Sequence, residues 1–133
     1  MEQAARRILL AAGASAELLR IIHVPGAFEI PLTCKCLAEE GVDGMLALGL
    51  VVQGETHHAA EIARACTDGI MQVQLASSVP IVHEVLFVDS LTQARARCLG
   101  AGNKGREAAH TLLRMLALFP KGKKGLHRPP EMP

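Results

Sequence analysis

Apolar residues follow helical spacing in some stretches of the chain and form short continuous runs in others. In residues 2–12 the apolar positions fall on one face of a helix, which Gly13 ends. Phe28 to Glu40 has the same spacing, with Pro31 in a first turn that tolerates it and Gly41 as the stop. The pattern predicts three further helices, over residues 56–77, 91–98 and 106–119, with a turn at 101–105 between the last two.

Three shorter segments have the composition of strands. Leu18 to Val24 (LLRIIHV) is rich in branched residues and is stopped by Pro25-Gly26. Met45 to Val52 is continuously apolar apart from Gly49, which is typical of a strand buried on both faces. A third strand is predicted over Ile81 to Val88. Strands that alternate with helices predict an α/β fold, in which a parallel sheet has helices on both of its faces.

The length of the chain and the number of predicted elements limit how many domains and strands we expect. A chain of 133 residues buries one core, so we expect a single domain over residues 1–120. Lys121 to Pro133 is rich in Pro, Gly and Lys and is expected to be a disordered tail. The first predicted helix has no strand before it, although the alternation predicts one, and three strands make a thin sheet for such apolar helices.

Composition and charge limit the classes of binding partner and the cellular compartment that we expect for this protein. The net charge of +1 gives no reason to expect a nucleic acid or an anionic membrane surface as a partner. The longest apolar run, Met45 to Val52, is too short to cross a bilayer, and the N-terminus does not have the pattern of a signal peptide. The four cysteines form no CxxC pair, which favours a reducing compartment and a cytoplasmic protein.

Unusual residues follow two of the predicted strands, at the edge of a parallel sheet where ligands gather. These junctions are Val24 to Glu29 (VPGAFE) and Val52 to His58 (VQGETHH). Helix N-termini present unpaired N–H groups and a partial positive charge, so an anion such as phosphate fits the second junction. Thr56 is a candidate cap for the helix that follows, and Arg97 or Lys104 is a candidate basic residue to strengthen the site.

Each of these features also has an ordinary structural explanation. Phe28 is more often a core residue, and Glu29 in a first helical turn often serves the helix dipole. A histidine in a first turn is more often a surface residue than a catalyst, although its pKa suits proton transfer. Adjacent helical residues such as His57 and His58 diverge by about 100°, so the two rings are not expected to share one role. The residues alone therefore predict an anion-binding helix N-terminus and no particular substrate.

Seven segments in order resemble a known family: VPGAFEIPL, ALGLVVQGETHH, DGIMQVQL, VP, VL-x-x-D, QARAR and AGNKG. Together they span about Leu19 to Met115 and resemble 6,7-dimethyl-8-ribityllumazine synthase, the penultimate enzyme of riboflavin biosynthesis. The resemblance implies a flavodoxin-like three-layer α/β/α subunit that assembles into pentamers or larger shells, with riboflavin synthase as a further expected partner. It implies condensation of 5-amino-6-(D-ribitylamino)uracil with 3,4-dihydroxy-2-butanone 4-phosphate, which releases phosphate and water and needs no metal or organic cofactor.

The family's motifs assign roles to individual residues of this chain. His58, the last residue of G-E-T-x-H, corresponds to the catalytic histidine, and His57 falls at the variable position. The implied phosphate-binding residues are Glu55, Thr56, Arg97 and Lys104. The implied contacts of the pyrimidine and the ribityl chain are Ala27, Phe28, Glu29, Leu50, Val51, Val52 and His83. In this family the site lies between subunits, so Arg97 is expected to serve the pocket of an adjacent protomer.

The chain also departs from the family's pattern. The family opens with a strand that carries an aromatic residue in an Arg-Phe-Asn-like turn, and this sequence has no such segment, so we expect a truncated chain or an internal start. His83 stands where the family often has Phe, and Ala59 and Ala60 stand where aromatic and acidic residues are common. Two alternatives remain at this stage: a non-catalytic relative that acts as an oligomeric scaffold or a flavin or lumazine binder, and an unrelated flavodoxin-like binding domain.

Overall fold

The structure, a computed structural model, describes residues 1–120. The predicted disorder of residues 121–133 lies outside the described residues. The helices are α1 (Glu2–Ala11), α2 (Ile30–Glu40), α3 (His58–Ser77), α4 (Leu91–Cys98) and α5 (Lys104–Leu118), and the strands are β1 (Met45–Val52) and β2 (Ile81–Val88). Two short 3-10 turns, Ala27–Glu29 and Gly100–Gly102, precede α2 and α5.

The two strands pair in parallel, as the sequence predicted, and both have the predicted bounds. Their register runs from Met45 opposite Ile81 to Val52 opposite Val88. Backbone hydrogen bonds extend the pairing at both ends: Met45 N–H donates to the carbonyl of Pro80 at 2.9 Å, and Gln53 N–H donates to that of Val88 at 2.8 Å. The last bond fixes the first residue of the loop after β1 to the end of β2.

Helices cover both faces of the sheet, which confirms the α/β fold with helices on either side. One face packs against α2 and α3 through a cluster of eight buried residues: Ile30, Cys34, Met45, Ala47, Cys66, Ile70, Ile81 and Val85. The opposite face packs against α1 and α5, and the buried residues there are Ala5, Leu9, Ala109 and Leu112. Partly buried Leu46 and Val82 join the second cluster from the strands. The core is therefore aliphatic, as the scarcity of aromatic residues predicted.

The strand predicted at Leu18 to Val24 is wrong, because this segment forms no ladder. Its ends pack against opposite faces of the sheet, Leu19 with the α1/α5 cluster and Val24 with the α2/α3 cluster. Between them, Ile21 and Ile22 are each 48% exposed. Branched residues favour a strand only where a neighbouring strand accepts their hydrogen bonds. Here a side-chain contact holds the segment instead, since Arg20 donates to Glu40 at 2.7 Å.

The sheet therefore has two strands, and β1 has an open edge on the side away from β2 within residues 1–120. Odd-numbered residues of β1 direct their N–H and C=O groups to β2, as the bond from Met45 shows. The even-numbered residues direct theirs to the open edge; they are Leu46, Leu48, Leu50 and Val52. No Lys or Pro interrupts this edge. A long uncharged edge of this kind is available to a further strand.

Local signals set most of the helix ends. Gly41 closes α2 in the left-handed region at φ 85°, and Pro31 lies in the first turn of the same helix. Ser90 caps α4 by accepting from the N–H of Gln93 at 3.2 Å. The predicted turn over 101–105 is wrong in its second half: Asn103 accepts from Gly105 N–H at 2.9 Å, and α5 begins at Lys104. Among the described helices, none combines the length and the hydropathy that crossing a bilayer requires.

Candidate functional site

The loop after β1 is held in shape by one side chain. The Nε2 group of Gln53 donates to the carbonyl of Gly54 at 3.0 Å and to the carbonyl of Thr56 at 3.1 Å. Because the backbone of Gln53 is itself bound to β2, these bonds tie the turn Gly54–Thr56 to the end of the sheet. The loop is exposed to solvent, as are Glu55 and Thr56. The structure therefore presents this turn at the carboxyl edge of the sheet, where the sequence predicted a ligand.

Helix α3 begins at His58, and the predicted cap at Thr56 is wrong. The N-cap residue is His57, with φ −73° and ψ 0°, and no side chain makes the capping hydrogen bond. Thr56 lies too early to cap the helix, because the amide of Gln53 holds its carbonyl in the preceding turn. No side chain of the described residues accepts from the first N–H groups of α3. These groups remain available to an anion, and the exposed imidazole of His58 stands beside them.

Apolar side chains at the end of β1 and in the nearby 3-10 turn are unusually exposed. Phe28 is 63% exposed, Leu50 is 41% exposed and Val52 is 36% exposed. Val51 is half-buried, because it packs against the α2/α3 cluster, and so does Ala27. The 3-10 turn contacts both α3 and β1. The structure therefore places the predicted contacts Leu50, Val51 and Val52 at the strand end from which the His58 loop departs, and the 3-10 turn with Ala27 and Phe28 packs against β1.

Glu29 closes the 3-10 turn and folds back over its start. A Cβ on Gly26 would meet the Oε2 atom of Glu29 at 3.0 Å, so the glycine leaves room for the carboxylate. The N–H of Glu29 donates to the carbonyl of Gly26 at 3.3 Å, and the hydroxyl of Thr33 donates to the carbonyl of Glu29 at 3.0 Å. The carboxylate is exposed and points back to the VPG turn, where it can accept hydrogen bonds from hydroxyl groups.

Arg97 and Lys104 lie near each other, at the end of α4 and the start of α5. Lys104 begins α5, which packs on the face opposite α3. Its Nζ donates to Glu107 at 2.5 Å, and this hydrogen bond is the main reason that the pKa of Lys104 is raised. Arg97, in the last turn of α4, is close enough to oppose that increase in pKa. Lys104 therefore lies on the side of the sheet opposite α3, and Arg97 lies near it.

His83 is also separated from His58 within the chain. Its Nε2 shares a hydrogen bond with the hydroxyl of Thr67, on α3, at 3.0 Å. Thr67 lies nine residues after His58, which corresponds to about 14 Å along the helix axis. The imidazole of His83 faces α3 from the middle of β2. Within one chain, His83 therefore lies apart from His58 along α3.

Glu84 is a functional candidate that the sequence interpretation missed. It is an acid in the middle of an apolar strand, and burial is the leading cause that raises its pKa. Lys104 and Arg97 oppose that increase, and Glu107 adds to it. The interruption of the apolar run IVHEVLFV by a carboxylate was the available signal. It is informative only once the fold shows which charged residues face that strand.

The arrangement around His58 can bind an anion and transfer a proton. The free N–H groups at the start of α3 can bind the anion. The imidazole of His58 can transfer the proton. The apolar strand end beside them suits a planar ring. Among residues 1–120, no three His, Cys, Asp or Glu side chains are grouped so that they could hold a metal ion.

Comparisons with known proteins point to one family. A family model described as 6,7-dimethyl-8-ribityllumazine synthase matches residues 1–120. Proteins of that name from Xanthomonas euvesicatoria pv. vesicatoria (strain 85-10) and Xanthomonas axonopodis pv. citri (strain 306) are each 40% identical to this chain over 117 residues. The alignment covers 86% of this chain and 76% of each relative. The family match spans the same residues that the structure describes.

Proposed function

The chain belongs to the 6,7-dimethyl-8-ribityllumazine synthase family and is a transferase of riboflavin biosynthesis, and we propose that His58 moves protons in its reaction. The substrates are 5-amino-6-(D-ribitylamino)uracil and 3,4-dihydroxy-2-butanone 4-phosphate. One observation supports the proposal most: α3 begins at an exposed His58, and its first N–H groups have no side-chain acceptor among residues 1–120. A proton-transfer group and an anion-binding group therefore stand side by side.

The chemistry needs both groups. The aromatic amine of the uracil attacks the ketone of the butanone, and loss of water gives an imine. Phosphate is then eliminated, and the ribitylamino nitrogen attacks the remaining carbonyl, which closes the ring to the lumazine with loss of a second water. Each step moves a proton, which suits an imidazole. The departing phosphate needs hydrogen-bond donors, which the backbone N–H groups of Glu55, Thr56 and the start of α3 would supply. Holding the two substrates in contact supplies a further large share of the rate.

The pyrimidine is proposed to bind at the apolar end of β1. The 63% exposed ring of Phe28 and the side chains of Leu50 and Val52 offer apolar surface to the uracil ring. Val51 and Ala27 line the same strand end through their backbones. The Glu29 carboxylate, held beside Gly26, accepts hydrogen bonds from the ribityl hydroxyls.

The family assembles into oligomers, and we propose a homopentamer in which an adjacent subunit completes each site. Lys104 lies on the side of the sheet opposite α3 with Arg97 near it, and His83 lies apart from His58 along α3, so these residues are proposed to serve the neighbouring pocket. Large apolar side chains are exposed on α2 and α3: Leu32 at 67%, Met71 at 50% and Leu75 at 73%. Patches of this kind are typical of subunit interfaces. A cytoplasmic location and association with riboflavin synthase are proposed on the resemblance alone.

The activity is tested with the purified chain and both substrates, by following lumazine absorbance and phosphate release together. We expect equal amounts of the two products. If neither product forms from the folded, assembled chain, the alternative of a non-catalytic scaffold or lumazine binder replaces the enzyme. Release of phosphate from the butanone phosphate in the absence of the uracil would contradict the proposed order, in which imine formation comes first.

The shared site is tested by mixing two inactive variants. His58→Ala lacks the proposed proton-transfer group, and Arg97→Ala lacks the proposed phosphate contact. Oligomers reassembled from a mixture contain some sites with an intact His58 from one subunit and an intact Arg97 from its neighbour, so activity is expected to return. Each variant taken alone through the same reassembly is the control. If the mixed oligomers form and stay inactive, both residues belong to the pocket of a single chain.

A further inference from the structure

Glu84 faces the helix that begins with Lys104. Side chains of a strand alternate between the two faces of a sheet, so Glu84 lies on the same face as Val82. Val82 packs against the α1/α5 cluster. His83, between them, faces α3 on the opposite side. The carboxylate of Glu84 therefore occupies the space between β2 and the first turns of α5.

Four charged side chains lie close enough to interact here, and the direct contact among them is the Lys104–Glu107 pair. Lys104 and Glu107 come from α5, Arg97 comes from the last turn of α4, and all three act on Glu84 electrostatically. The partner of Glu84 across the ladder, Leu48, is apolar. With both acids ionised, the group has two positive and two negative charges. The two bases proposed to bind phosphate therefore stand in a cluster with no net charge.

The two acids of the cluster have different environments. Glu107 is 61% exposed in its side chain and pairs directly with Lys104. Glu84 is half-buried, and the loss of hydration raises the pKa of its carboxyl despite the nearby Lys104 and Arg97. Its negative charge acts through a less aqueous medium, where charges interact more strongly than in bulk water.

We propose that Glu84 sets the affinity of the enzyme for its phosphate-bearing substrate by cancelling part of the positive charge of Arg97 and Lys104. This inference rests on the proposed function, which assigns phosphate binding to those two bases. Glu84 does not touch the substrate; it acts through the bases and is a positioning residue. The enzyme thereby holds the phosphate group less tightly than two uncompensated bases would, which favours release of the phosphate product.

The sign of the pH dependence follows from the raised pKa. Below that pKa Glu84 is neutral, and the cluster has a net charge of +1. Above it the cluster is neutral. Anion binding therefore strengthens as the pH falls through the pKa of Glu84, which lies above the ordinary glutamate range. Other groups of the site can also titrate in this range, so the contribution of Glu84 must be taken from a comparison between two proteins that differ only at residue 84.

The test compares the oligomeric wild type with Glu84→Gln, using sulfate as a competitive inhibitor, because sulfate remains a dianion throughout. At about pH 8 we expect Glu84→Gln to bind sulfate roughly 3- to 10-fold more tightly, the size expected for one partly screened charge. The ratio of the two inhibition constants should approach one as the pH falls through the raised pKa of Glu84, because the carboxyl is then neutral in both proteins. The KM of the butanone phosphate should fall in parallel, while the KM of the pyrimidine substrate stays unchanged.

The control variant is Glu39→Gln, which removes one negative charge from the exposed Lys35–Glu39 pair on α2. It should leave sulfate binding unchanged, and Glu84→Asp should behave like the wild type because it keeps the charge. A constant ratio at all pH values, or equal effects of Glu39→Gln and Glu84→Gln, would overturn the proposal. If Glu84→Gln does not fold, Glu84→Ala replaces it: it also removes the charge, so sulfate should bind more tightly at about pH 8, and an unchanged affinity overturns the proposal.

Failure of the proposed function has a different signature. If Arg97→Ala binds sulfate as well as the wild type, the phosphate assignment itself is wrong. If Arg97→Ala weakens sulfate binding and Glu84→Gln changes nothing, the phosphate site stands and only the role of Glu84 is lost.

Discussion

Gly69 of α3 lies against the ring of Pro31 of α2, and a Cβ on Gly69 would stand 2.8 Å from both Cβ and Cγ of that ring. Two carbons do not pack at this distance, and a proline ring cannot turn away. The two helices therefore approach as closely as they do because residue 69 has no side chain. Pro31 follows the 3-10 turn Ala27–Glu29 almost directly. The contact thus sets where that turn stands relative to α3 and His58.

Gly69→Ala should destabilise the protein. Overpacking against Pro31 costs about 1–3 kcal/mol, and the better helix propensity of Ala returns up to about 1 kcal/mol. A net loss of roughly 1–2 kcal/mol in the free energy of unfolding is expected, measured by chemical denaturation. Gly54→Ala is the control, because nothing lies within 4 Å of a Cβ at that position. Equal losses from both variants would contradict the packing argument.

His58→Ala should slow turnover, and His57→Ala should not. General acid–base catalysis by a positioned side chain contributes about 100-fold or more, so kcat of His58→Ala should fall by at least about tenfold. His57 makes no side-chain capping bond, so its removal should change kcat by less than about twofold. Steady-state kinetics with both substrates saturating measure the difference. Similar losses from the two variants would show that the neighbouring imidazoles act together.

Cys34 and Cys36 should differ sharply in reactivity although they share one helix. Cys34 is buried, and burial, followed by the nearby Cys66, raises its pKa to about 11, whereas Cys36 is exposed. At pH 8 only about one in a thousand Cys34 thiols is then ionised. Iodoacetamide followed by peptide mass spectrometry should find Cys36 labelled and Cys34 unlabelled. Full labelling of both in denaturant is the control, and equal native rates would place Cys34 at the surface.

The amides on the two sides of β1 should exchange with solvent at different rates. Those of Ala47, Gly49 and Val51 point to β2, and those of Leu48 and Leu50 point to the open edge. Hydrogen exchange read residue by residue should find the first group protected and the second group faster by orders of magnitude. Equal protection along the whole strand would mean that a further strand occupies the edge in solution.

The sequence predicted those parts of the fold that depend on local chemistry. Met45–Val52 and Ile81–Val88 were correctly bounded, because short, mostly apolar segments of this kind are buried between the two layers of helices. Gly41 and Pro31 were correctly assigned, since a helix stop or a first turn involves only its immediate neighbours. The motifs VPGAFEIP and G-E-T-x-H led to the family that the comparisons then identified.

Other features depend on distant parts of the chain, and the sequence predicted them poorly. Leu18–Val24 has the composition of a strand, but composition does not reveal whether a partner strand will lie beside it. Thr56 looked like a helix cap until Gln53 was seen to hold its carbonyl. Glu84 is a functional candidate because Arg97 and Lys104 lie near it, and they come near only when α4 and α5 pack against the sheet. The roles of the individual site residues stay predictions until the variants are measured.

The double hydrogen bond from Gln53 has a consequence for the entropy of binding. A flexible turn must lose conformational freedom when it closes around a ligand, and that loss weakens the affinity. Here one side-chain amide has already ordered Gly54 and Thr56 before any substrate arrives. Contacts between this turn and the phosphate group therefore lose little of their free energy to ordering, and the affinity is higher than a flexible turn would give. The folding of the free protein has borne the cost of ordering in advance.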